Sequence, residues 1–179
     1  MILETPRLIL RRFKKSDVES FLAYHNDPDI IRYQSWEAFS EKEALDFVEE
    51  QTTLQPFIAG KWFQIAIDLK ETNQHIGDCA VNVKEDGQQA ELGFTISRDF
   101  QKRAYAFEAV SHLLNYLFET RKFHCIVGIA DCENKASIAL LKKLGMRQEG
   151  YFIQSYYDKG DWSDEYLFAI LKSEWQKKE

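Results

Sequence analysis

Between Trp62 and Leu117 the chain reads as three strands followed without interruption by a helix, and this order restricts the possible folds more than any other feature. WFQIAIDL (Trp62 to Leu69), HIGDCAVNV (His75 to Val83) and AELGFTIS (Ala90 to Ser97) are strand-like runs separated by the polar turns ETNQ and EDGQ. They predict an antiparallel meander. Directly afterwards Ala106, Ala109, Val110, Leu113, Leu114 and Leu117 recur at the spacing of one helix face. The junction, DFQKRAYAFEAV (Asp99 to Val110), is therefore a strand-to-helix turn. Such a turn presents unpaired backbone N–H groups and the positive end of a helix dipole, a geometry suited to phosphate. Glycine normally serves there because the backbone must approach the ligand closely or adopt positive φ. Yet no glycine occurs from Phe94 to Phe123.

The flanking segments extend the pattern. Leu3 to Phe13, containing ETPRLILRRF, alternates like a strand and runs into SDVE (Ser16 to Glu19), which reads as a Ser-x-x-Glu capping box. The helix that follows is expected to bury Val18, Phe21 and Leu22, and NDPD (Asn26 to Asp29) breaks it. A second capping box, Ser40 to Glu43, opens a helix expected to bury Ala44, Leu45, Phe47 and Val48. Beyond the junction helix, drawn from Ala104 to about Arg121, FHCIVGIA (Phe123 to Ala130) reads as a buried strand. A helix from about Asn134 to Leu144 then stops at Gly145, a left-handed C-terminal cap. RQEGYFIQSYYD and SDEYLFAIL form a last strand pair around Lys159-Gly160-Asp161. Two successive strand-helix units require a parallel pairing in the middle. The expected class is a mixed, mostly antiparallel α/β sheet with helices on both faces.

At 179 residues with 45% apolar composition, the chain predicts one domain spanning 1–179. A net charge of -6 argues against a broad electrostatic grip on nucleic acid or anionic lipid and favours an amine-bearing partner. Cys79, Cys125 and Cys132 are an odd, unpaired set, and nothing at the start has a signal peptide's pattern, so the expected location is cytoplasmic and reducing. His25, His75, His112 and His124 are scattered, with no Cys-x-x-Cys or His-x-x-x-His pair, so no metal is expected. No apolar run is long enough to span a bilayer. Neither a Gly-x-x-x-x-Gly-Lys-Ser/Thr loop nor a Gly-x-Gly-x-x-Gly turn is present, which ranks other nucleotide-phosphate enzymes far lower.

Two segments one unit apart, DFQKRAYA and IADCENKASIALLKKLGM (Ile129 to Met146), together resemble the acetyl-coenzyme A signature of the GNAT N-acetyltransferase superfamily. The first motif of that family, Gln/Arg-x-x-Gly-x-Gly/Ala, corresponds to Gln101-x-x-Ala104-x-Ala106. The second, Asn-x-x-Ser/Ala-x-x-Leu with a Gly-Phe pair after the helix, corresponds to Asn134, Ser137, Leu140 and Gly145-Met146. The order of elements agrees along nearly the whole chain. TPRLILRRF, ELGF and YAFEAV most resemble the Rim-type ribosomal-protein N-terminal acetyltransferases and their bacterial relatives.

The resemblance implies a GNAT fold, acetyl-coenzyme A as cofactor and an amine acceptor, either a peptide N-terminus or a small amine, in a monomer or homodimer. It implies that the diphosphate lies on the backbone N–H groups of Gln101, Lys102, Arg103, Ala104, Tyr105 and Ala106. The side chains of Lys102 and Arg103 either add charge there or are solvated. Ala104 is expected in the first helical turn at negative φ, where alanine is the better helix former by about 0.8 to 1 kcal/mol over glycine. The pantetheine arm would pair with the backbone of Phe94, Thr95 and Ile96 as an added strand. Gly93 would clear its path, or else mark a bulge or close helix packing. Asn134 would reach the arm or serve as a plain N-cap.

For catalysis, Glu91 is the candidate base, against the alternative of a carboxylate simply paired with a nearby Lys or Arg. Many family members use a tyrosine one position after the motif leucine as the acid; Leu141 stands there, and the resemblance to Rim-type relatives implies Ser137 instead, unless it is simply a good helix-start residue, with Tyr156 and Tyr157 as substitutes. Oxyanion stabilisation would come from a backbone N–H near Phe94. Tyr33, Trp36, Phe39 and Tyr156 would line the acceptor pocket, unless they are core. A different class, an acyl-coenzyme A sensor or scaffold that has lost turnover, is kept open by the missing tyrosine and by Ala104.

Overall fold

The computed structural model describes residues 2–34 and 36–176. Its eight strands form one sheet in the order β1-β2-β3-β4-β5-β6-β8-β7: β1 Ile2–Glu4, β2 Leu8–Arg11, β3 Trp62–Leu69, β4 His75–Val83, β5 Gln89–Ile96, β6 Cys125–Asp131, β7 Arg147–Asp158 and β8 Asp161–Leu171. All neighbouring pairs are antiparallel except β5 and β6, as the succession of strand-helix units requires. The meander predicted for Trp62 to Ile96 is present in full. The first predicted strand is instead a hairpin, because Thr5 turns the chain: its hydroxyl oxygen accepts from the Leu8 N–H at 2.8 Å.

The alternation of β3, β4 and β5 sorts their side chains cleanly between two faces. Phe63, Ile65 and Ile67 share one face with Cys79, Val81 and Leu92, and this face carries the larger core. Helices α4 (Tyr105–Asn115) and α5 (Lys135–Lys143) close it with Ala109, Val110, Leu113 and Leu114, and with Ile138 and Leu141. The opposite face presents Ala66, Asp78 and Thr95 in one row, Gln64, Ala80 and Gly93 in the next, and Trp62, Asn82 and Glu91 in a third. Helices α1 (Val18–His25), α2 (Pro28–Ile31) and α3 (Glu41–Thr53) cover only part of it, around a smaller core of Phe13, Phe21, Tyr24, Ala44, Val48 and Ala66. Apart from Trp62 the uncovered remainder is polar or small, and it becomes a cavity floor.

Several local expectations change. Ser40 and Glu43 do form a capping box, but SDVE does not. The Asp17 carboxylate within it is claimed by Arg11 and by the Lys14 N–H, which draws Lys15–Asp17 into a single 3-10 turn ahead of α1. Leu45 is exposed, since Ala44, Val48 and Gln51 define the inward stripe of α3 and Leu45 points about 100° away from Ala44. The junction helix begins at Tyr105, one residue later than expected, and loosens into a π-turn over Tyr116–Thr120. Gly145 ends α5 at φ 77°, the left-handed cap anticipated. A short α6 (Lys172–Trp175) follows β8. Among the described residues no helix is long and apolar enough to cross a membrane.

Candidate active site

The parallel pairing of β5 with β6 is short. Gln89, Ala90 and Glu91 lie opposite Cys125, Ile126 and Val127, and beyond Glu91 the two strands have no further register. The rest of β5, from Leu92 to Ile96, therefore keeps its bonds to β4 and turns towards the gap a backbone edge that no strand pairs, its Ile96 end held by Gln101. A cavity of about 530 Å³ lies at this divergence. Leu92, Gly93, Phe94 and Thr95 of β5 line it on one side and Ile129, Ala130 and Asp131 of β6 on the other.

Gly93 owes nothing to the packing of the fold. A Cβ built there would sit 3.5 Å from the Ala80 Cβ, an ordinary contact, and the β4–β5 register runs through it without a bulge. Its missing side chain leaves the cavity open instead. Gly77 differs, because a Cβ there would stand 2.2 Å from the Thr95 carbonyl oxygen.

The turn from Ser97 to Tyr105 is held by its surroundings, with its own donors left over. Gln101 Nε2 donates to the Ile96 carbonyl at 2.9 Å, tying the turn to the end of β5. Arg7 Nη1 donates to the Arg103 carbonyl at 3.1 Å, and Glu108 binds Arg7 and the Thr5 hydroxyl. Among the described residues, the backbone N–H groups of Lys102 through Phe107 donate to no protein acceptor. This is an open cradle of donors at a helix N-terminus.

One expectation fails here. Ala104 lies at φ 62°, ψ 13°, in the left-handed region, not in the first helical turn, and Lys102 also has a positive φ of 60°. The turn thus takes the conformation that glycine would take, with non-glycine residues. The reason is geometric: the N–H groups of two flanking peptides converge only if the backbone curls this way, and the curl imposes a left-handed residue whatever its side chain. For alanine this costs about 1 kcal/mol.

Among the predicted site residues, Glu91, Phe94, Thr95, Asn134 and Ser137 line the cavity together with the aromatics Tyr33, Trp36, Phe39 and Tyr156. Ile96 is buried instead, the Gln101 N–H expected in the cradle donates to the Arg98 carbonyl at 3.2 Å, and Lys102 to Ala106 belong to the cradle outside the cavity. Tyr157 does not reach the cavity; it is exposed and packs on Trp162. Asn134 caps α5, accepting from the Ser137 N–H at 3.1 Å, so its amide NH2 is the group left to reach outward. Glu91 has Lys84 Nζ 2.8 Å from its Oε2, and its Oε1 has no protein partner among the described residues. Sequence reasoning did not find His25, Asp78 and Trp62, which also line the cavity. An aspartate between the apolar residues of IGDCAV was the available signal.

Asp78, Glu91, Asp131, Asp161 and Glu165 line the cavity against Arg32 and Lys159, so carboxylates predominate. Among the described residues no group of three or more His, Cys, Asp and Glu side chains is placed to hold a metal ion.

Comparisons with known proteins agree with this architecture. The family model for the acetyltransferase (GNAT) domain matches residues 7–147. Over 176 residues the chain is 30% identical to the uncharacterized N-acetyltransferase YnaD of Bacillus subtilis (strain 168), covering 98% of this chain and 99% of that protein. The crystal structure of a GNAT-family acetyltransferase from Bacillus anthracis is similar at a TM-score of 0.89 and 28% identity, over 97% of this chain and 100% of that one. The RimL ribosomal-protein α-N-acetyltransferase, solved in complex with coenzyme A, shares the fold at a TM-score of 0.82 and 20% identity, over 96% and 98%.

Proposed function

The chain belongs to the GNAT family of acetyltransferases, and from that premise we propose that it transfers the acetyl group of acetyl-coenzyme A to a primary amine, on a peptide N-terminus or a small molecule. The observation that carries this reading is the divergence of β5 from β6 beyond Glu91, with a cavity at the opening and an unpaired N–H cradle at the end of β5.

The residues present fit coenzyme A. Six successive free N–H groups suit a diphosphate, and the bare edge of β5 suits an extended amide-bearing arm. When bound, acetyl-coenzyme A supplies an activated acetyl thioester. Lys102 to Ala106 would hold its diphosphate, and Phe94, Thr95 and Ile96, with the Asn134 amide, its arm. Gln101 contributes by anchoring the turn through its side chain.

The chain's own groups then have three tasks. A neutral amine is needed, and a free α-amine with a pKa of about 7.7 to 8 provides a useful fraction at pH 7. Glu91 takes its proton through water, using the oxygen that Lys84 does not occupy. Backbone N–H groups near Phe94 face negative charge as it develops on the carbonyl oxygen. Ser137 Oγ, on the cavity wall with no protein partner among the described residues, holds a proton for the departing sulfur. The excess of carboxylates lining the cavity supports an acceptor that arrives as a cation.

A thiol-release assay with acetyl-coenzyme A and a panel of small amines and N-terminal peptides tests this. Release that depends on the amine is the expected result. Coenzyme A binding without release on any acceptor would favour the sensor or scaffold instead.

A further inference from the structure

Three carboxylates are buried almost completely, and one differs from the others. Asp17 and Asp68 share Arg11, whose guanidinium makes bonds of 2.5 to 2.9 Å to both. Asp78, 3% exposed, has no arginine or lysine partner among the described residues. Its Oδ2 accepts from the Tyr24 hydroxyl at 2.6 Å and from His25 Nε2 at 3.1 Å, while Oδ1 has no donor among the described residues. That oxygen is not sealed in, since among the described residues the buried side-chain atoms lacking a partner are His25 Nδ1, Gln64 Oε1 and Ser111 Oγ. Asp78 lines the cavity. So a nearly buried carboxylate keeps one oxygen open, on a residue that lines the cavity.

The walls beside it are aromatic. His25, 2% exposed, also lines the cavity; its ring centroid lies 4.5 Å from Trp36 and 5.7 Å from Phe39, and both of these line the cavity too. Aromatic faces around a carboxylate attract cations and reject anions. The cavity's own cations are engaged elsewhere: Lys159 Nζ donates to the Ile31 and Gln34 carbonyls, and Arg32 lies over Tyr33 with Glu133 at 3.7 Å. The lysine and arginine of the cavity thus leave Asp78 Oδ1 open for a ligand N–H, while Oδ2 keeps the Tyr24 hydroxyl and His25 Nε2.

We propose that Asp78, with the aromatic walls of His25, Trp36 and Phe39, is the subsite that binds the acceptor as an organic ammonium ion. Calling the ligand the acceptor rests on the transferase reading above; the cation preference does not. Asp78 lies opposite Thr95 in the β4–β5 register, so an ammonium there stands one strand from the bare edge of β5. Glu91, on the same face but four residues along β5 from Thr95, is about 13 Å away at the ordinary strand rise and is already paired with Lys84, so the ammonium held at Asp78 is a group of the acceptor other than the amine whose proton Glu91 takes. Tyr24 and His25 fix the carboxylate's orientation from below. Burial and the adjacent Asp78 push the Tyr24 hydroxyl well above its ordinary pKa, so it remains a donor.

The test is calorimetric titration of the full chain, without acetyl-coenzyme A, using n-hexylammonium and its neutral analogue 1-hexanol. The expected result is at least a tenfold preference for the ammonium, lost in Asp78→Asn while coenzyme A affinity is unchanged. Trp36→Leu should weaken the ammonium severalfold, and the comparison of the two probes on the unmodified chain requires no variant to fold. Equal binding of the two probes, no binding of the ammonium, or equal ammonium affinity in a folded Asp78→Asn would overturn the subsite. Turnover is not read, so failure to acetylate any amine would remove the transferase reading while leaving the ammonium subsite standing.

Discussion

Arg7 Nε lies 2.6 Å from Glu108 Oε2, joining the turn between the first two strands to the first turn of α4 across about a hundred residues. The same guanidinium donates to the Arg103 carbonyl and lies over the Tyr105 ring at 4.5 Å. Arg7 thereby braces the cradle from behind, on the side away from its free N–H groups.

Removing that brace should affect binding more than folding. Arg7 is half-exposed, so Arg7→Ala should cost about 1 kcal/mol of stability or less. Coenzyme A affinity should fall by about threefold to tenfold, about 1 kcal/mol. Thermal denaturation and calorimetry on the same variant separate the two effects; a large drop in Tm with unchanged affinity would make the clasp purely structural.

Ala104 offers a sharper experiment because its left-handed conformation separates strain from charge. Ala104→Gly removes about 1 kcal/mol of strain and returns a similar amount as unfolded-chain entropy, so Tm should move little while coenzyme A binding is kept or improved. Ala104→Asp should also fold, since aspartate tolerates this region, yet lose coenzyme A binding by repelling the diphosphate. Unchanged affinity in Ala104→Asp would remove the cradle assignment.

At Gly93 the fold has room for a side chain and the cavity does not. Gly93→Ala should fold normally, with stability equal or higher by about 0.5 to 1 kcal/mol. Gly93→Leu should lower kcat/KM at least tenfold, about 1.4 kcal/mol, by filling the cavity floor. If Gly93→Leu keeps full activity, the acceptor does not pass over this face.

The Arg11 cluster sets an acid limit on stability. Burial works against the charge of Asp17, but the hydrogen bond from Arg11 and the Lys14 N–H outweigh it and hold its carboxyl below the usual range. A depressed carboxylate contributes fully above its unfolded value of about 4 and loses that contribution as pH falls through the lower folded value. Tm should therefore be level above about pH 5 and decline below about pH 4. Asp17→Asn should lower the neutral Tm by the equivalent of about 1 to 3 kcal/mol and flatten the decline; a parallel decline in the variant would assign it to other acids.

What the sequence by itself determined was whatever a single element reports about its own burial. The alternation of WFQIAIDL assigns Phe63, Ile65 and Ile67 to one face, the spacing from Ala109 to Leu117 supplies the helix that covers them, and Ser40 and Glu43 mark the start of α3. Those periodicities also made the order of elements legible, along with Asn134 and Gly145 at the two ends of α5. Only the tertiary structure decided where α1 and α3 stop covering the sheet. That boundary turns Gly93, Glu91 and Asp78 into the floor of a cavity, and it brings Tyr24 of α1 to Asp78, on a strand 54 positions away. It also decided the backbone of Ala104, whose residue type favours a helix. A helix propensity is worth less than 1 kcal/mol, and the anchors at Gln101, Arg7 and Glu108 together outweigh it, holding the turn in the left-handed curl that aims its donors outward.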